Sequence, residues 1–226
     1  MSGTLNPWLN LPATQPFVLP EDAVFVEEFN EILGKSGKHF LDLRLPPNPF
    51  SGLHDAPLVV LLANPGIGES DLSVQLEPQN LQLLNAAIKK PGGSPFIWLT
   101  TEGNKLSPEQ WWQSRTRDLK KIVGSFEELS KKLLVIELHG YHSKSWTAPL
   151  RNFPSQAYGF HLVEEAIARN AVIVAARCSD YWFSAIPGLR RYKNLVPQLK
   201  STRSVHLSEN NMEPGYFKMI SQAIIS

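Results

Sequence analysis

"LVVLLANPGIGESDL", residues 58–72, is the stretch on which the fold turns. An unbroken apolar run from Leu58 to Ala63 stops at Asn64-Pro65-Gly66. A run that is apolar at every position, not at alternate ones, suits a strand covered on both faces. "LLVIELH" (133–139) and "AVIVAA" (171–176) have the same character, and "PFIWL" (95–99) and "SVHL" (204–207) are two further strand candidates. Helical patterns are predicted between and after them, at about 71–90, 108–129, 156–170, 180–187 and 213–225. Apolar strands separated by helices predict βαβ units with right-handed crossovers. The expected class is α/β, a doubly wound parallel sheet with helices on both faces.

Upstream the composition changes. Residues 1–20 and 44–57 are rich in proline, and between them "EDAVFVEEFNEILGKSG" has the acidic first turn and terminal glycine of a short helix. Residues 1–56 are therefore expected to form an extended arm with one helix, packed on a single α/β domain spanning 57–226. With 42% hydrophobic and 19% charged residues among 226, the chain belongs with globular proteins, not disordered ones. No apolar run is long enough to cross a bilayer, and the N-terminal stretch lacks the basic start and apolar centre of a secretory signal. A cytoplasmic location without membrane contact is the expectation. Cys178 is the sole cysteine, which excludes an internal disulfide, a four-cysteine zinc site and a cysteine-held iron–sulfur cluster.

Net charge is +1, but it is unevenly spread. Residues 1–80 hold 10 Asp and Glu against 3 Lys and Arg, and the remaining 146 hold 11 against 19. Basic groups gather in "SRTRDLKK" (114–121), "GLRRYK" (188–193) and "LKSTRS" (199–204). Such clusters can follow a phosphate backbone, and they serve equally as solvated helix faces and loops.

In open α/β sheets ligands bind beyond the carboxyl ends of the strands. That rule selects Asn64, Pro65 and Gly66 after the first strand, and His139, Tyr141, His142 and Ser143 after the second. It also selects Arg177, Cys178, Ser179 and Asp180 after residues 171–176, and His206, Ser208, Glu209, Asn210 and Asn211 at the last. Pro65 holds Asn64 extended and Gly66 permits a sharp turn, so the amide of Asn64 stands at a strand tip, able to donate and accept. The same residues would also make an ordinary Asx turn. A neutral His206 could stabilise an anion that forms during reaction; Ser208 is also placed to cap a helix. The His-x-x-His pair at 139 and 142 is a weak metal site, because Gly140 opposes a helix and no third ligand is evident.

Taken in order, these stretches resemble the uracil-DNA glycosylase superfamily. "LLANPG" resembles the strand-Asn-Pro-Gly motif of its mismatch-specific branch, and "VHLSENN" resembles its second motif, a strand ending in histidine followed by serine. "LLVIELHGYHS" and "AVIVAARCSDYW" occupy the intervening strand positions, so the likeness covers about residues 57–225. The chain departs from the pattern at Leu62, where that branch usually has glycine, and at Leu207, where proline usually follows the histidine. The resemblance implies a four-stranded parallel sheet and a DNA glycosylase that hydrolyses the N-glycosidic bond of a flipped-out, damaged or mispaired base. It gives Asn64 the attacking water and His206 the departing base; Pro65, Gly66, His139, Tyr141, Ser208 and Asn210 would contact substrate. DNA is the implied partner, held through the basic second half, and neither metal nor organic cofactor is expected. Two other readings stand beside it: a nucleic-acid- or protein-binding module on the same fold, and a hydrolase using Tyr141, His142 and Ser143, which would require His142 to bond Ser143.

Overall fold

The computed structural model describes residues 5–68, 72–73, 75–100 and 107–225. Its centre is a five-stranded, mostly parallel mixed sheet in the order β1-β3-β2-β4-β5. Here β1 is Phe50–Gly52, β2 Leu58–Leu62, β3 Leu133–Glu137, β4 Val172–Ala175 and β5 Leu195–Val196. The three long apolar runs of the sequence form β2, β3 and β4, and every residue of the three is buried. β2 pairs in parallel with β4, Leu58 opposite Val172 and Leu61 opposite Ala175, and β4 pairs in parallel with β5. Leu58, Val59, Val60 and Leu61 are wholly inaccessible to solvent. Full burial of such a side chain stabilises the fold by roughly 1.5–3 kcal/mol, so this ladder is the energetic centre of the sheet.

Two expected strands take other forms. Residues 95–99 hold a short helix, Ile97–Thr100, in which Ile97, Trp98 and Leu99 are all buried. An apolar run of five residues fits a buried helix as well as a strand, and burial on all sides removes the periodicity that would separate them. The segment 204–207 forms no strand, with a bend at Ser204 and irregular backbone after it; Val205 and Leu207 are buried, and the Leu207 N–H donates to the Arg115 carbonyl at 2.9 Å. The place beside β4 belongs instead to Leu195–Val196. Pro197 lacks the N–H a longer ladder would need.

The proline-rich stretch supplies β1. The Glu137 N–H donates to the Pro49 carbonyl, while Gly52 lies against Leu133, so β1 runs antiparallel to β3. Gly52 has φ +124°, and a Cβ there would fall 2.1 Å from the Leu133 carbonyl oxygen. Only glycine permits that approach.

β3 lies on one side of β2 and β4 on the other, so the connections leaving β2 and β4 depart in opposite directions. This is a topological switch point, the place where open α/β sheets accept ligands. By its contacts the chain falls into two compact units, each assembled from three stretches. One comprises residues 1–50, 63–91 and 137–161; the other comprises 51–62, 92–136 and 162–226 and holds nearly all of the sheet. In the second unit the helix Tyr216–Ile225 packs on β2 and β4, with Ile220 and Ile224 buried. In the first, the helix α1, Ala23–Ile32, buries Val26 and Phe29.

Candidate functional site

The first unit contains Asn64 and the residues that follow β3. Asn64 is half-buried and Pro65 buried. Gly66 forms a parallel bridge with Ser143, and the Ser143 N–H donates to the Pro65 carbonyl at 3.2 Å, so the turn is laced to the segment after β3. The Asn64 amide is laced to it as well. Its Nδ2 donates to Ser143 Oγ at 2.9 Å and to the Pro65 carbonyl at 3.1 Å. Ser143, itself buried, donates its hydroxyl proton to the Ser145 carbonyl at 3.0 Å. The chain of bonds has one direction: the Ser145 carbonyl orients the Ser143 hydroxyl, and that hydroxyl orients the amide. Both amide protons are then committed inside the protein. Oδ1 accepts no hydrogen bond from any described residue, and an amide oxygen is an acceptor with two lone pairs. The side chain therefore offers one fixed acceptor at the strand tip.

The neighbouring residues are arranged differently. His142 is buried, with Nδ1 3.3 Å from the Gly66 carbonyl oxygen and Nε2 3.1 Å from that of Pro46. Burial holds its pKa below the ordinary value, against the smaller opposing effects of those carbonyls and of Asp42. Its nitrogens face backbone carbonyls and Ser143 is bonded to Asn64 and Ser145, so the His142–Ser143 pair that a serine hydrolase would need is not formed. His142 instead links the Asn-Pro-Gly turn to the proline-rich arm.

His139 is buried in an aromatic cage, stacked on Trp146 at 5.5 Å between ring centroids and edge-on to Phe153 and Phe29. Burial pushes its pKa down to about 3, so the ring is neutral at physiological pH. Its Nδ1 is enclosed and has no hydrogen-bond partner.

The Tyr141 hydroxyl donates to Asp22 at 2.7 Å and accepts the Leu19 N–H at 3.3 Å. Asp22 also accepts the Ser155 N–H at 3.0 Å. Burial raises the Asp22 pKa, and its hydrogen bonds oppose that rise. Tyr141 thus anchors the N-terminal arm through a buried carboxylate. Tyr141→Phe removes one donor to Asp22 and one acceptor for Leu19, and is expected to cost about 1–3 kcal/mol. A lower urea midpoint at unchanged slope is the measurable result.

The second unit contains His206, Ser208 and Asn210. His206 is half-buried between the buried Val205 and Leu207. Ser208 stands before the single turn Glu209–Asn211 without capping it through its side chain, and Asn210 is exposed. Asn211, which follows the same strand end, organises this loop. Its Nδ2 donates to the carbonyls of Ser204 at 2.8 Å and His206 at 3.0 Å, while its Oδ1 accepts the Ser201 N–H at 2.8 Å. Beside the carboxyl end of β2, Trp182 Nε1 donates to the Leu62 carbonyl at 2.9 Å, and the Ala176 and Arg177 N–H groups both reach the Leu61 carbonyl.

Among the described residues no group of three or more His, Cys, Asp and Glu side chains could hold a metal ion, and no helix is long and apolar enough to cross a membrane. Comparison with protein-family models, curated proteins and solved structures returned no match.

Proposed function

We propose that the protein is a DNA glycosylase of the uracil-DNA glycosylase type, which hydrolyses the N-glycosidic bond of a damaged or mispaired base. The observation that carries this reading is the orientation of Asn64. Its amide protons are held by Ser143 and Pro65, so its Oδ1 is a fixed acceptor at the end of the central strand. Cleavage of an N-glycosidic bond with substantial dissociative character asks little activation of its nucleophile. What it needs is a water held on the line of attack, and an oriented acceptor supplies that by taking one of the water's protons in a hydrogen bond. The base must leave the helix stack to be reached. In the resemblance His206 stabilises the charge developing on the departing base and Ser208 meets a phosphate. Asn211 holds the backbone around His206.

A second reading, a binding module without chemistry, draws support from the same bonds, since the Asn64–Ser143 tie would lock a purely structural turn equally well. Excision separates the two. Oligonucleotides carrying uracil, thymine mispairs, hypoxanthine or alkylated bases would be incubated with the protein and treated with alkali. Strand breaks at the altered base support the enzyme. Intact strands with folded protein support the binding module, whose affinity for DNA would fall steeply with salt.

A further inference from the structure

The bonds that orient Asn64 continue past Ser143 and end in the N-terminal arm. Ser145 is exposed and stands at a bend outside any helix or strand, so its peptide is placed by the groups that bond it. Among the described residues there are three. The Ser145 N–H donates to the Lys38 carbonyl at 2.9 Å, and the Ser145 carbonyl accepts the Ser143 hydroxyl at 3.0 Å. The same carbonyl lies 2.9 Å from Nδ1 of His39. A carbonyl only accepts, so Nδ1 carries the proton and donates it. Lys38 and His39 thus grip residue 145 from both sides, and His39 and Ser143 share one carbonyl oxygen.

The fold of the arm delivers His39 to that place. After α1 the chain turns back at Gly37, whose φ of +72° lies in the left-handed region that suits glycine. Asn30 on α1 then holds Leu41 twice: its Oδ1 accepts the Leu41 N–H at 2.7 Å, and its Nδ2 donates to the Leu41 carbonyl at 3.2 Å. Leu41 is wholly buried. The Asp42 N–H donates to the His142 carbonyl at 2.8 Å in an antiparallel bridge. Residues 38–42 are therefore fixed at both ends alongside 142–145.

A serine hydroxyl rotates to suit its partners. With its proton on the Ser145 carbonyl, Ser143 Oγ turns its lone pairs to the Asn64 amide, 2.9 Å away. Were that carbonyl free to swing, the hydroxyl would no longer have one direction. We propose that His39 is a positioning residue for Asn64, which fixes the Ser145 carbonyl and through it the Ser143 hydroxyl and the amide. The arm is then a working part of the site. Its consequence for catalysis rests on the excision reading; its effect on the amide does not.

The test reads the amide directly by nuclear magnetic resonance of isotope-labelled protein. The two Nδ2 protons of Asn64 give side-chain signals identified by their loss in Asn64→Ala. His39→Leu is expected to speed their exchange with water about fivefold, the scale of one hydrogen bond, and to shift the signal of the proton facing Ser143. His39→Asn, whose Nδ2 stands where Nδ1 stood, is expected to restore both. A purely structural role would lower the thermal midpoint and leave these signals unmoved. Unmoved Asn64 signals in folded His39→Leu overturn the proposal, as do altered signals that His39→Asn fails to restore. Single-turnover excision by the same proteins separates the two readings. Signals that depend on His39 without excision by wild type remove the enzyme and keep the positioning role. Excision that falls in Asn64→Ala but is indifferent to His39 keeps the enzyme and removes the positioning role.

Discussion

Asn64→Ala is expected to lower base excision by about a hundredfold or more while leaving the protein folded. A misplacement of about 1 Å at a reacting centre can cost 10²-fold, and alanine removes the acceptor altogether. The structural cost is smaller. Asn64 is half-buried and its side chain makes two hydrogen bonds, each worth about 1 kcal/mol to stability. Ser143→Ala retains the amide but frees one of its protons, so a loss of about tenfold is expected. In the Asn64→Ala background the same serine change is expected to do almost nothing, because the group that Ser143 orients is gone. Single-turnover rates of the two variants and their combination make a double-mutant cycle that measures this dependence. Additive losses would mean that Ser143 acts by some other route.

The second large effect is acid instability. His139, with its pKa near 3, and His142, also lowered by burial, stay neutral in the folded protein at pH values where they protonate in the unfolded chain. Below the ordinary histidine pKa of about 6.5 the unfolded state therefore binds more protons, and stability falls as pH falls. A group held neutral in this way contributes up to about 1.4 kcal/mol per pH unit, so His139 alone is expected to cost about 2 kcal/mol between pH 6.5 and 5, and His142 acts in the same direction. That is a large share of the ~5–15 kcal/mol that holds a typical protein folded. Asp22 has the opposite sign: with its pKa raised, its contribution is greatest at low pH and is lost as pH rises through the folded value. It partly offsets the histidines at the acid end. His139→Phe replaces the ring with one suited to the Trp146, Phe153 and Phe29 cage, and removes the enclosed, unpartnered Nδ1. Urea unfolding measured from pH 5 to 8 should show a shallower loss of stability towards acid for this variant than for wild type. An unchanged slope would place the acid-sensitive group elsewhere.

What could be read from the chain follows from where its contacts are local. β2, β3 and β4 were legible because strands covered on both faces leave unbroken apolar runs. β5 was not, since two residues ahead of a proline carry no pattern, and the five apolar residues at 95–99 fit a buried helix as well as a strand. β1 hid in a proline-rich stretch, where its close approach to β3 depends on Gly52. The position of Asn64 at a strand tip was legible because Pro65 and Gly66 act on it directly. Its orientation was not: the serine that sets it lies 79 residues away. Tyr141 likewise shows its partner Asp22 only in three dimensions, 119 residues apart. The bonds of Asn211 span at most ten residues; its place after the last strand end was legible, but not which backbone groups it holds, since asparagine makes loop contacts of many kinds.

The most direct test of the central claim is the release of free base, quantified by mass spectrometry, from oligonucleotides bearing altered bases. Wild type and Asn64→Ala would be compared at protein in excess over DNA. The account predicts a free base and an abasic strand in equal amounts from at least one substrate, with the alanine variant slower by about a hundredfold or more. Release at equal rates by both proteins, or no release from any substrate by a folded wild type, would contradict it.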